Sequence, residues 1–242
     1  MTRLLNGIVA FGSALLLAVT LIGAGFAAVA IPDAATATLS RAFSGCDQPN
    51  TPFTADELAS MAIAGKHYTF DDNDREKLDT AIAEANAAAE ADGRATASTR
   101  ESAARSLPAD AISHLDDVYR VASVAKPALV IVAVLCIAGL AHVAVRISRR
   151  ALGLTLMAGG GLVLASFCAL GAWAAIDFDG LFAAFHSLFF QAGTWTFPYD
   201  SLLITLYPTA FWMGMGGIWL AVTCIASIIC IIVGRLLRSE TE

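Results

Sequence analysis

The chain has 242 residues, 57% of them hydrophobic and 15% charged, with a formal net charge of −6. Soluble domains are about 45–50% apolar and about 25% charged, and the excess here is gathered into four blocks, so the composition excludes an ordinary soluble enzyme and defines an integral membrane protein. The net charge says little about nucleic acid, but no basic patch interleaved with aromatic residues is present, so no nucleic-acid partner is expected.

Residues 4–31 are apolar except for Asn6, Ser13 and Thr20, and a span needs about 20 such residues. Ala28-Val29-Ala30 resembles a signal cleavage site. The apolar run is nevertheless much longer than the about 7–15 residues of a signal peptide, so residues 1–31 are expected to be a retained first transmembrane helix. Residues 32–120 are the one polar region large enough to fold outside the membrane. Within it, Thr54-Ala55-Asp56-Glu57 has the spacing of a capping box, which predicts a helix from there to about Gly65. Asp71–Asp92 is rich in Ala, Glu and Lys and stops at Gly93. It reads as a solvated helix with Leu78 and Ile82 to bury. Residues 93–105 read as a flexible connector. Ser106 with Pro108 is a good helix start. Ile112, Leu115, Tyr119 and Ala122 then recur at spacings of three and four, the mark of one apolar helix face.

That helix is expected to run directly into a second span at residues 121–147, whose apolar core is about Pro127–Val145. Arg146, Arg149 and Arg150 mark a very short loop before the third span at residues 151–176. The Gly159-Gly160-Gly161 run in that span permits close helix contact. Residues 177–207 form an aromatic segment too broken by Gly180, Gly193 and Pro198 to be a span. Between Asp179 and Trp212 the chain carries six Phe, two Trp and two Tyr, which places this stretch at a membrane–water boundary, where amphipathic rings are favoured. The fourth span covers residues 208–234, and residues 235–242 are a tail. The fold class is therefore all-α: four transmembrane helices with a small helical domain outside the membrane. Arg3, the Arg146–Arg150 cluster and Arg235 with Arg238 all fall on one side of a four-span topology. By the positive-inside rule that side is cytoplasmic. Both termini are then inside, and residues 32–120 and the aromatic segment share the outer face of the cell membrane.

Four of the five cysteines, Cys136, Cys168, Cys224 and Cys230, lie in apolar runs and Cys46 lies outside them, so they read as small apolar filler. His67 and His142 read as a solvated or capping residue and an interfacial residue. His114, just before the second span, and His186, just after the third, are placed on one face by the topology alone. Two imidazoles in one pocket supply a base and an acid at neutral pH. The plainer reading makes each a hydrogen-bonded interfacial residue. Asp117 and Asp200 either orient an imidazole or cap a helix. No third ligand has zinc spacing, and neither HExxH, GxSxG, a Walker loop nor a dinucleotide glycine motif occurs. Neither a metal nor another cofactor is therefore expected. The centres of all four spans lack Asp, Glu, Lys and Arg, which argues against an ion-coupled carrier.

Phe185-His186-Ser187-Leu188-Phe189-Phe190, followed by Trp195, Pro198, Asp200 and a Pro208–Phe211 step, resembles a family of small four-span bacterial membrane proteins, the lipoprotein intramolecular transacylases. His114-Leu115-Asp116-Asp117-Val118 is a second matching motif, and Thr54–Leu58 leading to Tyr68 a weaker one. The Asp71–Asp92 helix and Thr209, after the proline, depart from the pattern. The resemblance implies an acyltransferase acting on diacylated lipoproteins in the membrane. It would move the sn-2 acyl chain from the S-glyceryl group to the α-amine of the same N-terminal cysteine and leave a lyso-form lipoprotein. It assigns His186 and His114 as catalytic, Trp195 as a supporting residue beside Asp117 and Asp200, and Phe185, Phe189, Phe190 and Trp212 to an acyl-chain pocket. The competing expectation is a non-catalytic membrane protein that binds lipid or an envelope partner through residues 32–120. The distance between the two imidazoles separates the two readings.

Overall fold

A computed structural model describes residues 2–48, 50–95 and 103–239, and among these the architecture is entirely helical. The helices are α1 (Thr2–Ala30), α2 (Asp33–Phe43), α3 (Ala55–Phe70), α4 (Arg75–Ala91), α5 (Ala109–His142), α6 (Arg149–Ile176), α7 (Phe178–Ser187), α8 (Leu202–Leu206) and α9 (Thr209–Ser239). Four stretches, Arg3–Ala30, Ala109–Ile147, Arg149–Ile176 and Thr209–Ser239, are long and apolar enough to cross a membrane. The chain divides into two compact units. One comprises Met1–Val29, Ala125–Phe182 and Ile218–Glu242, the other Ala30–Val124 and Ala183–Gly217.

In the first unit small residues let helix backbones approach. A Cβ on Gly153 would stand 2.5 Å from the Gly234 carbonyl oxygen, and one on Gly234 would stand 2.5 Å from that of Gly153. Gly160 faces the Ser227 carbonyl at 2.7 Å and Gly159 that of Ala14 at 2.9 Å, while Gly161 has open space. Two of the three glycines in the run therefore do the packing. Without a hydrophobic force between helices in lipid, such close contact is the main source of association. Trp219 adds a ring contact, edge-on to Phe26 at 5.7 Å and to Phe167 at 5.3 Å, and its Nε1 donates to Ile22 O at 3.0 Å. The turn from α5 to α6 is a single π turn, Val143–Ile147, followed by Ser148. The Ser148 hydroxyl accepts from Ala151 N and so caps α6.

In the second unit one apolar core joins α3 (Leu58, Met61, Ala62), α4 (Leu78, Ile82, Ala85, Ala89), the start of α5 (Ala111, Ile112, Leu115) and α8 (Leu202, Leu203, Leu206). The Thr54–Glu57 capping box forms as expected, but α3 runs on past Gly65 to Phe70. Gly65 is not a stop: it makes room for the Tyr207 ring, whose hydroxyl donates to Ala62 O at 2.6 Å. α4 starts at Arg75, later than Asp71, because the Asp74 carboxylate accepts from the backbone of Glu76 and Lys77. It also buries Ala85 and Ala89, more than its charge pattern suggests. α2 was not expected. Its Asp33 pairs with the buried Lys66, which also donates to Ile31 O at 2.7 Å, and with His67, which Asp71 holds from the other side. His67 thus bridges the Asp33 and Asp71 carboxylates through its two ring nitrogens and is not merely a solvated residue.

Of the expected connector at residues 93–105, residues 96–102 lie outside the described ones. Its two ends are tied down: Arg94 donates to both Glu57 carboxylate oxygens at 2.7 and 2.9 Å, and Arg105 pairs with Glu90 at 2.9 Å. α5 does not break at residue 121, and it carries Pro127 inside it. The aromatic segment is not a loop throughout. The Asp177 carboxylate accepts from Gly180 N at 2.8 Å at the start of α7, and Ser201 caps α8, so short local caps give helix where composition suggested none.

Candidate functional site: a histidine pair under aromatic rings

His114 sits in the second turn of α5. Ala111, Ile112 and Leu115, all buried, pin that turn in the core of the second unit. Asp110, His114, Asp116, Asp117, Arg120 and Lys126 all precede the apolar run that opens at Pro127, so this part of the helix is its polar end. His186 occupies the last turn of α7. The chain turns directly after it, with the amides of Phe189 and Phe190 donating to His186 O at 3.1 and 2.9 Å. Gly193, at φ +86°, then reverses the backbone, a conformation glycine adopts without the usual side-chain clash. The reversal brings Trp195 and Phe197 back toward the histidines.

The two imidazoles lie 72 positions apart in sequence, by subtraction of their numbers, with ring centroids 6.1 Å apart and planes inclined at 27°. Phe190 lies edge-on to His114 at 4.9 Å and tilted against His186 at 5.7 Å. Trp195 packs on His186 at 4.9 Å, Phe185 meets the same ring at 5.7 Å, and Phe189 continues the row from Phe185 at 5.2 Å. Phe197 covers His114 at 5.5 Å. Sequence reasoning missed Phe197; its only signal was a ring directly before Pro198. Trp212 belongs to a second ring group, with Tyr207 at 5.8 Å and Phe211 at 5.4 Å.

His114 is 8% exposed. Burial, and secondarily the neighbouring His186, push its pKa down to about 4, with Asp117 acting weakly in the opposite sense. Asp117 is half-buried and accepts from Arg120 at 2.6 Å. Asp200 is exposed, in the turn before α8. A support that the sequence did not announce stands two residues beyond His114. Tyr68 donates to Asp116 Oδ1 at 2.5 Å, and Asn73 donates to the same oxygen at 3.4 Å and to Tyr68 O at 3.3 Å. Asn73 does so at φ +53°, which asparagine tolerates better than most residues. Burial and the Asp116 carboxylate push Tyr68 up to about 12, so it stays a donor. Among the described residues no group of three or more His, Cys, Asp or Glu side chains could hold a metal ion. The cluster offers two imidazoles side by side, one of them held neutral, beneath apolar rings. Such a site can move a proton next to an acyl chain.

These features define a class: a multi-pass, all-helical membrane protein with a paired-histidine site in its second unit. A protein-family model for the lipoprotein intramolecular transacylase Lit matches residues 89–212, a range that contains both histidines. The fold is that of solved structures of the membrane integral lipoprotein intramolecular transacylase Lit from Bacillus cereus. One superposes with a TM-score of 0.74 at 16% identity, over 98% of this chain and 97% of that one. Two further structures of the same protein, carrying a histidine replaced by arginine or by alanine, give TM-scores of 0.67 and 0.70, also at 16% identity, over 99% of this chain and 95% and 96% of theirs. No curated protein sequence matches at a significant level. The chain belongs to the lipoprotein intramolecular transacylase family, and its function is that of a membrane-integral acyltransferase.

Proposed function

We propose that the chain moves the sn-2 acyl chain of a diacylglyceryl-modified lipoprotein to the α-amine of the same N-terminal cysteine, producing lyso-form lipoprotein, and that His186 and His114 carry the reaction. The observation that supports this is the 6.1 Å separation of two imidazoles that the sequence keeps far apart, roofed by phenylalanine and tryptophan rings. A non-catalytic lipid or partner binder has no need to bring them together.

The shift from ester to amide needs an ammonium of pKa about 8 to lose a proton and an sn-2 alkoxide to gain one. Amine and ester belong to one molecule, so holding them in register supplies much of the acceleration. His186 shuttles the proton. Once the ammonium has given its first proton to water, His186 takes the second from the attacking nitrogen and gives it to the departing sn-2 oxygen. His114, held neutral by its burial, orients the amine or the tetrahedral centre through a neutral imidazole. Phe185, Phe189 and Phe190 hold the acyl chains at the membrane boundary, with Trp212 in the adjoining ring group. Asp117 and Trp195 steady the two imidazoles. The site faces outward, with residues 32–120 outside the cell membrane and both termini in the cytoplasm, as the flanking arginines favour.

The test is expression in a host that lacks lipoprotein N-acylation, followed by mass spectrometry of lipoprotein N-terminal peptides. The parent chain yields lyso-form peptides. His186→Ala and His114→Ala, present at parental levels in the membrane, yield none; lyso-form product from both variants rules the reading out.

A further inference from the structure

Within the ring cluster two polar atoms are unexplained by packing, His114 Nδ1 and Trp195 Nε1, and of these only the indole nitrogen is a donor in every protonation state. Nε1 of Trp195 is buried with no hydrogen-bond partner among the described residues. Buried N–H groups are nearly always paired, and one that is not calls for a functional reason. This chain satisfies an indole elsewhere: Trp219 Nε1 donates to Ile22 O at 3.0 Å. The unpaired donor stands on the ring 4.9 Å from His186. Its place is fixed by the Gly193 reversal and by the Thr194 amide donating to Gln191 O at 3.2 Å. A ring needed only to pack against acyl chains would serve equally well as phenylalanine, as Phe185, Phe189 and Phe190 do. Tryptophan here adds one N–H.

We propose that the Trp195 indole N–H is the oxyanion donor of the transacylation, bonding to the carbonyl oxygen of the sn-2 ester; this rests on the transacylase reading above. As the cysteine amine attacks, its lone pair forms the new C–N bond and the carbonyl π electrons move onto oxygen. The indole N–H meets that charge as it develops. When the charge returns to carbon, the C–O bond to the sn-2 oxygen breaks. The ammonium has lost one proton to water before the attack; the second, shed by the nitrogen once the C–N bond has formed, passes to His186 and is delivered to that oxygen. One ester and one amine become one amide and one alcohol, with no further reactant. A donor already in place, in surroundings with little water, stabilises the transition state more than the ground state.

Trp195→Phe keeps a ring against His186 and removes only the donor. With full-length protein in lipid and a synthetic diacylglyceryl-cysteine peptide, its kcat is expected to fall about 100-fold with KM near the parent value. Parental kcat in Trp195→Phe overturns the proposal, and so does a loss confined to KM, which makes the ring an acyl-chain contact only. His186→Ala and His114→Ala run in parallel. If they are inactive while Trp195→Phe turns over normally, the donor role alone fails; if they remain active, the transacylase reading itself has failed. A measurement on the parent protein covers the case of a variant that does not fold. On addition of a lipopeptide whose sn-2 ester is replaced by a phosphonate, the Trp195 indole N–H proton resonance moves downfield, and an unmoved resonance overturns the proposal.

Discussion

His114 gives the second unit a titration behaviour that can be read in either stability or activity. Its folded pKa of about 4 lies below the ordinary 6.5, so between those values the unfolded chain binds more protons than the folded one. Stability therefore rises with pH across this window. It is complete above about 6.5 and is lost as pH falls toward 4, by about 3 kcal/mol in all. Melts in detergent from pH 7.5 down to 4.5 should show this slope, and a His114→Phe protein should lack this part of it. Activity keeps its His114 contribution through this window and loses it only as pH falls through about 4, where the folded imidazole takes up a proton and is no longer neutral beside His186. Tyr68→Phe tests the support below the site. It removes the donor to Asp116 Oδ1 and leaves Asn73 alone on a half-buried carboxylate. The expected cost is about 1–3 kcal/mol of stability, seen as a lower melting midpoint with the histidine chemistry otherwise intact. At this scale the histidine pair and most of its rings were legible in the sequence, because titratable residues are rare in a chain this apolar. The Tyr68–Asp116–Asn73 link was not, because it depends on an asparagine at positive φ that no spacing rule marks.

Among the elements, the spans followed from length and hydropathy. The polar region was harder to read, because short helices depend on individual caps. Ser201 and Asp177 create helix within an aromatic segment, while α2 gains an acidic first turn whose Asp33 is held by Lys66 and His67 from α3. The glycine run correctly pointed to close packing, but only the coordinates distinguish Gly159 and Gly160, which meet carbonyls, from Gly161, which meets nothing. This gives a sharp contrast for mutation. Gly153→Ala places a methyl 2.5 Å from the Gly234 carbonyl oxygen. It should lower stability by about 1–3 kcal/mol as α6 and α9 are forced apart. Gly161→Ala should stay within the scatter of the parent in the same thermal assay.

For the whole molecule, the net charge of −6 draws attention to the acidic helix α4, which invites a reading as an optional docking appendage. Its burial says otherwise. Leu78 is fully buried, and Ile82, Ala85 and Ala89 join it in the core that also holds the first turns of α5 around His114. Charge and packing on α4 are therefore separable. Glu76→Gln, Asp79→Asn and Glu84→Gln together should leave lyso-form production unchanged. Leu78→Ala should cost about 2–5 kcal/mol and reduce product through loss of folded protein. Unchanged activity in the triple variant also disfavours a docking role for the helix. The architecture as a whole was readable because hydropathy is a strong signal over 20 residues. The internal core was not, because alanines at helical spacing look the same whether solvated or buried.

The turns at Ser148 and Gly93 differ in what they can hold, and this bears on how sidedness is measured. Ser148 is the sole residue between the π turn and α6, and its hydroxyl caps the helix; an epitope inserted there would tear out the cap. Gly93 ends α4 at φ +68°, exposed, with nothing within 4 Å of where a side chain would stand. A short tag placed after Ala95 leaves the Arg94 amide on Ala89 O and the Arg94–Glu57 pair in place, and its labelling by a membrane-impermeant reagent in intact cells would report which compartment the histidines inhabit.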